Sequence, residues 1–303
     1  MARPAVIASA KAENDGAFTA PDWGLFVGVS LIWGSSFLLI AEALESLTPG
    51  VITLGRVGFG ALVLWGLRLG RSPKERISAE DRRQVVLLSV VWVALPFTLF
   101  PLAQEHINSA VTGLLNGATP VFAGVVSAFL VRVVPGGLQR VGIAIGFIGV
   151  ALISLGSASG RTTEAFGVLL VLLATLCYGF AVNIAPPLQA KYGAIVTMSE
   201  VLGFATIWVL PFGLLSLPEA RFELGPVAAL AFLGAVGTGL AYWIMSTLVG
   251  RVGGVRASFI TYLIPVVSLA LGVALRNDQV TALAIAGAVL TIGGAFIASR
   301  RSS

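Results

Sequence analysis

Two charged residues stand alone inside long apolar blocks of this 303-residue chain, Arg56 and Glu200. A charge at the centre of a lipid-embedded helix costs about 2.5–3.5 kcal/mol on insertion scales, so neither is expected to be idle. Three roles are open to them. They pair with each other, they snorkel to the nearer interface or cap neighbouring backbone, or they handle a substrate or a proton. Of the two, Glu200, an acid in an apolar block, is the better proton candidate. Helix rise puts Arg56 roughly 12 Å from one membrane surface and Glu200 roughly 9 Å from the other, about 9 Å apart in level, so a direct bridge needs both side chains to reach inward.

Around these charges the chain carries uncharged polar and aromatic faces. Asn108, Thr112, Asn116 and Thr119 recur at helical spacing, as do Thr238, Tyr242 and Ser246. Ser258 and Tyr262 form a smaller pair, and Trp33 and Tyr178 add one ring each, with Trp92, Phe97 and Trp243 nearby. Polar groups in lipid must face protein or water, so these faces point inward. They bond between helices or line a solute path. As a path they make a mildly polar, aromatic cavity suited to a zwitterion or a small amphipathic molecule. A phosphate site calls for several Lys or Arg at the midplane, and only Arg56 qualifies.

Enzyme chemistry fails on inventory. The sequence has no His/Cys/Asp/Glu cluster at metal-ligand spacing, no Ser–His–acid set and no phosphate-cradling GxxxxGK[ST]. No cofactor or metal is expected. His106, the one histidine, sits beside Glu105 in a loop and reads as a solvated residue. Cys177, the one cysteine, lies in an apolar block, so no intramolecular disulfide forms.

The elements that must position these residues are membrane helices. The chain is 57% hydrophobic and 11% charged, far from the roughly 25% charge of soluble domains. Apolar blocks of bilayer-spanning length predict ten helices, near 23–44, 48–69, 84–103, 108–131, 138–157, 165–186, 194–217, 226–248, 253–275 and 280–299. Block length and the lack of strict alternation exclude a β-barrel. The net charge of +5 follows a topology pattern rather than a nucleic-acid patch. With the N-terminus in the cytoplasm, Arg161, Arg221 and Arg276 lie outside, Arg56 lies within a span, and the other Lys and Arg lie inside. Both termini are therefore expected to be cytoplasmic.

The second half repeats the first. Leu138, Gly142, Gly149 and Ser154 recur as Leu283, Gly287, Gly294 and Ser299, and Pro120 recurs as Pro265. A polar tail, 1–22, is followed by two five-helix units, 23–157 and 165–299. Five is odd, so the second unit enters the membrane from the opposite side and the repeats are inverted. Inverted repeats are how many secondary transporters obtain two states of similar energy. Pro120 and Pro265 then become matched bends, candidates for hinges. The glycines of the fifth and tenth helices serve either packing within one chain or a homodimer contact.

Several segments together resemble one family. Ile32-Trp33-Gly34-Ser35-Ser36, Arg56, and the paired stretches from Thr119-Pro120 to Gly149 and from Ile264-Pro265 to Gly294 are similar to EamA-type transporters of the drug/metabolite transporter superfamily. The resemblance implies export of small metabolites across a bacterial inner membrane, amino acids first among them. The aromatic cavity favours neutral or aromatic ones, bound by Trp33, Trp92, Asn116, Thr119, Tyr178, Tyr242, Trp243, Ser258 and Tyr262. The expected partners are this small molecule and the lipid bilayer, with no nucleic acid. The rival readings are another solute class (a sugar derivative, a nucleotide conjugate or a toxic cation) and a membrane scaffold. One departure stands out. Where the family often has Glu before each Gly-rich helix, this chain has Val133, beside Arg132, and Asp278.

Overall fold

A computed structural model of the protein describes residues 17–69, 76–131, 136–157 and 162–299. Every regular element among them is helical. Ten segments in chain order are α1 (Ala20–Ala43), α2 (Pro49–Leu69), α3 (Ala79–Gln104), α4 (Ser109–Leu130), α5 (Gly137–Ser157), α6 (Glu164–Ile184), α7 (Ala194–Leu215), α8 (Leu224–Val252), α9 (Ile260–Arg276) and α10 (Ala282–Ser299). Nine of these, among the described residues, are long and apolar enough to cross a membrane. The exception is α9, an apolar helix of 17 residues preceded by a short one, Gly254–Ala257. Most of the expected tail, and the Arg132–Val133 position, lie outside the described residues.

Two helices, α1 and α3, start a turn or so earlier than the apolar blocks indicate, because polar first turns hold them. The Thr19 backbone N–H and hydroxyl both donate to the Asp22 carboxylate, at 2.9 and 2.6 Å, which opens α1 at Ala20. Ser78 accepts from the Asp81 N–H at 3.3 Å, and Glu80 and Asp81 occupy the first turn of α3. Negative charge there suits the partial positive charge of a helix N-terminus.

Two helices also carry a wide turn at matched positions. Ser89–Ala94 of α3 and Ala235–Leu240 of α8 are π-helical. In α3 the cause is Pro96, which has no N–H to give and whose ring collides with the preceding turn. The Leu95 N–H bonds five residues back, to the Val90 carbonyl. In α8 the cause is a side chain in the ladder, since the Thr238 hydroxyl donates to the Leu233 carbonyl at 3.2 Å. Segments of this kind concentrate at functional sites.

The helices pair in a reciprocal pattern. α1 packs on α8 and α9, while α6 packs on α3 and α4. α2 lies on α7 and α8, α7 lies also on α3, and α4 lies on α9. α5 and α10 make the tightest contact, backbone to backbone. A methyl group added at Gly142 would sit 2.6 Å from the Gly294 carbonyl oxygen, and one at Gly287 would sit 2.6 Å from that of Gly149. These glycines thus serve packing within one chain, the first of the two uses the sequence left open. Without water to drive association, such close approach is what holds lipid-embedded helices together.

The contact predicts a contrast between two glycines. Gly149→Ala places a methyl against the Thr291 backbone nitrogen and the Gly287 carbonyl, whereas a methyl at Gly293 meets nothing within 4 Å. Gly149→Ala should lower the thermal midpoint of the detergent-purified protein by several degrees. Gly293→Ala should leave it level or raise it slightly, since Ala favours a helix over Gly by about 1 kcal/mol.

Candidate functional site

The two wide turns converge on Arg56. α2 approaches α8 closely because small residues face it: a methyl on Gly55 would meet Leu230 at 2.7 Å, and one on Gly60 would meet Thr238 at the same distance. Arg56, between them, points at the wide turn of α8, and its Nε donates to the Thr238 hydroxyl at 3.3 Å. Its guanidinium lies 3.8 Å from the centre of the Phe97 ring, just past the wide turn of α3. Phe97 is fixed by the Thr53 hydroxyl, which is shared between the Pro49 carbonyl at 2.8 Å and the Phe97 carbonyl at 3.1 Å. Arg56 is 6% exposed. Among the described residues no carboxylate bonds to it.

A cluster of aromatic rings extends from this cation. Tyr242, one helical turn beyond Thr238, meets the Trp33 ring at 5.8 Å and the Trp92 ring at 6.1 Å, both edge-on. Phe100 meets Tyr178 at 5.9 Å and Phe37 at 5.4 Å. The hydroxyls of Tyr178 and Tyr242 lie close enough to the guanidinium to interact with its charge. A buried cation with one neutral hydrogen-bond partner and an aromatic surround attracts an anion into an otherwise apolar space.

The structure gathers some of the sequence-derived candidates here and places others elsewhere. Trp33, Trp92, Tyr178 and Tyr242 join Arg56, and Trp243 packs against the same apolar cluster as Trp92 and Tyr242. Asn116 and Thr119 flank a break in α4, where Ser109–Asn116 stops and a second helical piece starts at Thr119. The Thr119 hydroxyl donates to the Asn116 carbonyl at 2.8 Å, while the buried Asn116 Oδ1 has no partner among the described residues. Pro120 falls in the first turn of that second piece, and Pro265 lies inside α9. A methyl on Gly117 at the break would come 3.2 Å from Pro265. Tyr262 stacks on Phe259 at 6.0 Å and meets Phe296 of α10 edge-on, and Ser258 is exposed.

Arg56 and Glu200 do not meet. Glu200 pairs with Arg68 at 2.7 Å, about 18 Å along α2 from Arg56 by helix rise. Asp278 has a structural partner as well. Its carboxylate accepts from the Ser109 hydroxyl at 2.6 Å and the Ala110 N–H at 2.9 Å, capping α4. Asp22, at the end of the expected polar tail, is fully buried and accepts from Arg251 Nε at 2.6 Å. The spacing of Thr19 and Asp22 was the signal for it.

A family model described as the EamA-like transporter family matches residues 23–155 and again 165–300. The chain belongs to the EamA-like transporter family. Membership makes it a membrane transporter, and its apolar helices fit a multi-pass protein. It is 26% identical to an uncharacterized transporter of Archaeoglobus fulgidus, over 92% of this chain and 99% of that one. It is equally 26% identical to a probable amino-acid metabolite efflux pump of Escherichia coli, over 89% of this chain and 91% of that one. A solved crystal structure with 18% sequence identity superposes at a TM-score of 0.60, covering 93% of this chain and 97% of that one, a likeness of fold.

In this EamA-type transporter Arg56 burdens the fold, because a buried charge without a counter-ion among the described residues carries a desolvation cost of several kcal/mol. Arg56→Met, which keeps an unbranched apolar stem, should therefore match or exceed the wild-type thermal midpoint in detergent without substrate. A fall of several degrees would make Arg56 a structural residue instead.

Proposed function

We propose that the protein exports neutral or aromatic amino acids across a bacterial inner membrane, taking the substrate carboxylate on Arg56 and the side chain among Trp33, Trp92, Tyr178 and Tyr242. The observation that carries this reading is the buried Arg56 guanidinium, which lacks a carboxylate partner among the described residues, lies on the Phe97 ring of α3 and neighbours Tyr178 and Tyr242, with Trp33 and Trp92 packed on Tyr242. An α-carboxylate supplies the missing counter-charge, and the rings supply apolar surface and edge-on contacts. A toxic cation is disfavoured by the same charge. The relatives of Escherichia coli and Salmonella typhimurium described as probable amino-acid metabolite efflux pumps support an amino-acid metabolite.

The transport cycle follows from the architecture we assign: ten crossings in two inverted five-helix repeats, 23–157 and 165–299, with both termini cytoplasmic. Supporting it are the wide turns, which recur 146 residues apart from Ser89 to Ala235, and the reciprocal glycine contacts of α5 and α10. Inverted repeats exchange roles between two states open to opposite sides, which is alternating access. The break of α4 before Pro120, and Pro265 in α9, are the bends at which the two states differ. Asn116 and Thr119 at that break extend the path, and Trp243, Ser258 and Tyr262 are assigned to its outer stretches. Glu200, held by Arg68 at a helix end, is placed away from the substrate.

Counterflow in proteoliposomes tests the reading. Phenylalanine or leucine trapped inside should drive uptake of its labelled form, while phenethylamine, which lacks the carboxylate, should not. Arg56→Met should reduce apparent affinity by about 10- to 100-fold, the range that 1.5–3 kcal/mol for a charged hydrogen bond implies. If no amino acid exchanges, the substrate assignment fails. The Glu200→Gln variant should respond to a pH gradient as the wild type does. A lost response would return Glu200 to the coupling role.

A further inference from the structure

A second basic site lies far from Arg56, where the C-terminal end of α2 meets the N-terminal parts of α3 and α7. A cavity of about 150 Å³ opens there, lined by Arg68, Arg76, Arg82, Glu200, Phe204 and Val85, with Ile77 beside them. Three guanidiniums face one carboxylate. Glu200 is spoken for, since it accepts from Arg68 at 2.7 Å, and the same Arg68 nitrogen also donates to the Ser199 hydroxyl at 3.1 Å. The nearest acid in sequence to Arg82, Asp81, is engaged by Lys191 and Tyr192, each at 2.7 Å. Arg76 and Arg82 are left without an acidic partner among the described residues.

The walls say what kind of anion fits. Phe204, Val85 and Ile77 give the cavity an apolar side. Along α2 the neighbours Leu62, Trp65 and Leu69 are 63%, 47% and 89% exposed, a surface made for acyl chains. The Trp65 indole N–H donates to the Ser199 carbonyl, which anchors the ring beside the cavity. A tryptophan at this level marks the zone between hydrocarbon and headgroups. Forked arginine N–H groups match the oxygens of a phosphate.

We infer that this cavity holds the phosphate of an anionic phospholipid headgroup, with the lipid tails lying along α2. Basic pockets between membrane helices recognise lipid phosphates in this way. The site joins α2, α3 and α7, so an occupied pocket ties the helix that carries Arg56 to two others. Only the leaflet, the cytoplasmic one, rests on the orientation proposed above.

The test uses the full-length protein, delipidated in a neutral detergent, with the thermal midpoint read after adding phosphatidylglycerol, phosphatidylcholine or inorganic phosphate. Phosphatidylglycerol should raise the midpoint by several degrees and should remain bound in native mass spectrometry. The other two should do neither. Arg76→Ala/Arg82→Ala should lose at least half of the shift, and Arg56→Met should keep it. Arg68 is left in place so that Glu200 stays paired. An equal shift in the double variant, or an equal shift from phosphatidylcholine, overturns the proposal. A matching shift from inorganic phosphate assigns the cavity to soluble anions and overturns the lipid as its occupant. Counterflow is measured in parallel. A missing lipid shift with intact counterflow overturns this site alone, and a lipid shift without counterflow overturns the transport reading alone.

Discussion

A guanidinium withdrawn from water without a counter-ion among the described residues is the constraint around which this structure is arranged. Burying such a charge is unfavourable by several kcal/mol, and one hydroxyl and one ring face offset it only in part. Each local irregularity of the fold nearby serves that placement. The wide turn of α8 frees Thr238 to meet Arg56, the wide turn of α3 leads into Phe97, and glycines on α2 bring the two helices close enough for contact. On the proposed reading, the fold keeps a site whose electrostatics an anion completes. That is how binding energy becomes available to a transporter, because a ligand shifts a conformational equilibrium only by what it gains in one state over another.

The two ends of the molecule are closed by different chemistry. At one end Asp278 caps α4 while Arg276 pairs with Glu42 and Glu45 at 3.0 and 2.9 Å. At the other, the buried Asp22 holds Arg251, and Asp81 holds Lys191, whose ammonium is kept protonated above its ordinary range by the hydrogen bond to that carboxylate. The buried Asp22 pair is the costlier one to part, since separation strands a charge away from water. The wide turns and glycine contacts recur between the halves, whereas these ties join different residues at the two ends. A transporter built from similar halves gains a resting preference from such differences.

Much of the fold is legible in the sequence because the bilayer imposes simple rules. Block lengths locate the helices, and the small-residue spacing of Gly142, Gly149, Gly287 and Gly294 marks the α5–α10 contact. Helix starts at Thr19 and Ser78 are harder to see, since polar first turns look like loop when only apolar blocks are followed. The site is legible in part. Composition singles out Arg56, Trp33, Trp92, Tyr178 and Tyr242, but not that they meet, because the wide turns shift the helical register and no periodicity count anticipates them. Glu200 is hard to read for a related reason. Its partner Arg68 sits at a helix end, and a search confined to intramembrane charges passes it by. Tyr262 shares helical spacing with Ser258, yet its ring turns toward Phe259 and Phe296, because helical spacing alone does not choose between two packed neighbours.

The central claim is that Arg56 receives the carboxylate of a neutral or aromatic amino acid. A structure of the protein with such an amino acid bound tests it most directly. The account predicts the carboxylate within about 3 Å of the Arg56 guanidinium nitrogens, a normal charge-assisted hydrogen-bond distance, with the side chain between Trp33, Trp92 and Tyr242. A ligand bound elsewhere in the protein, with Arg56 still bonded only to Thr238, would contradict it.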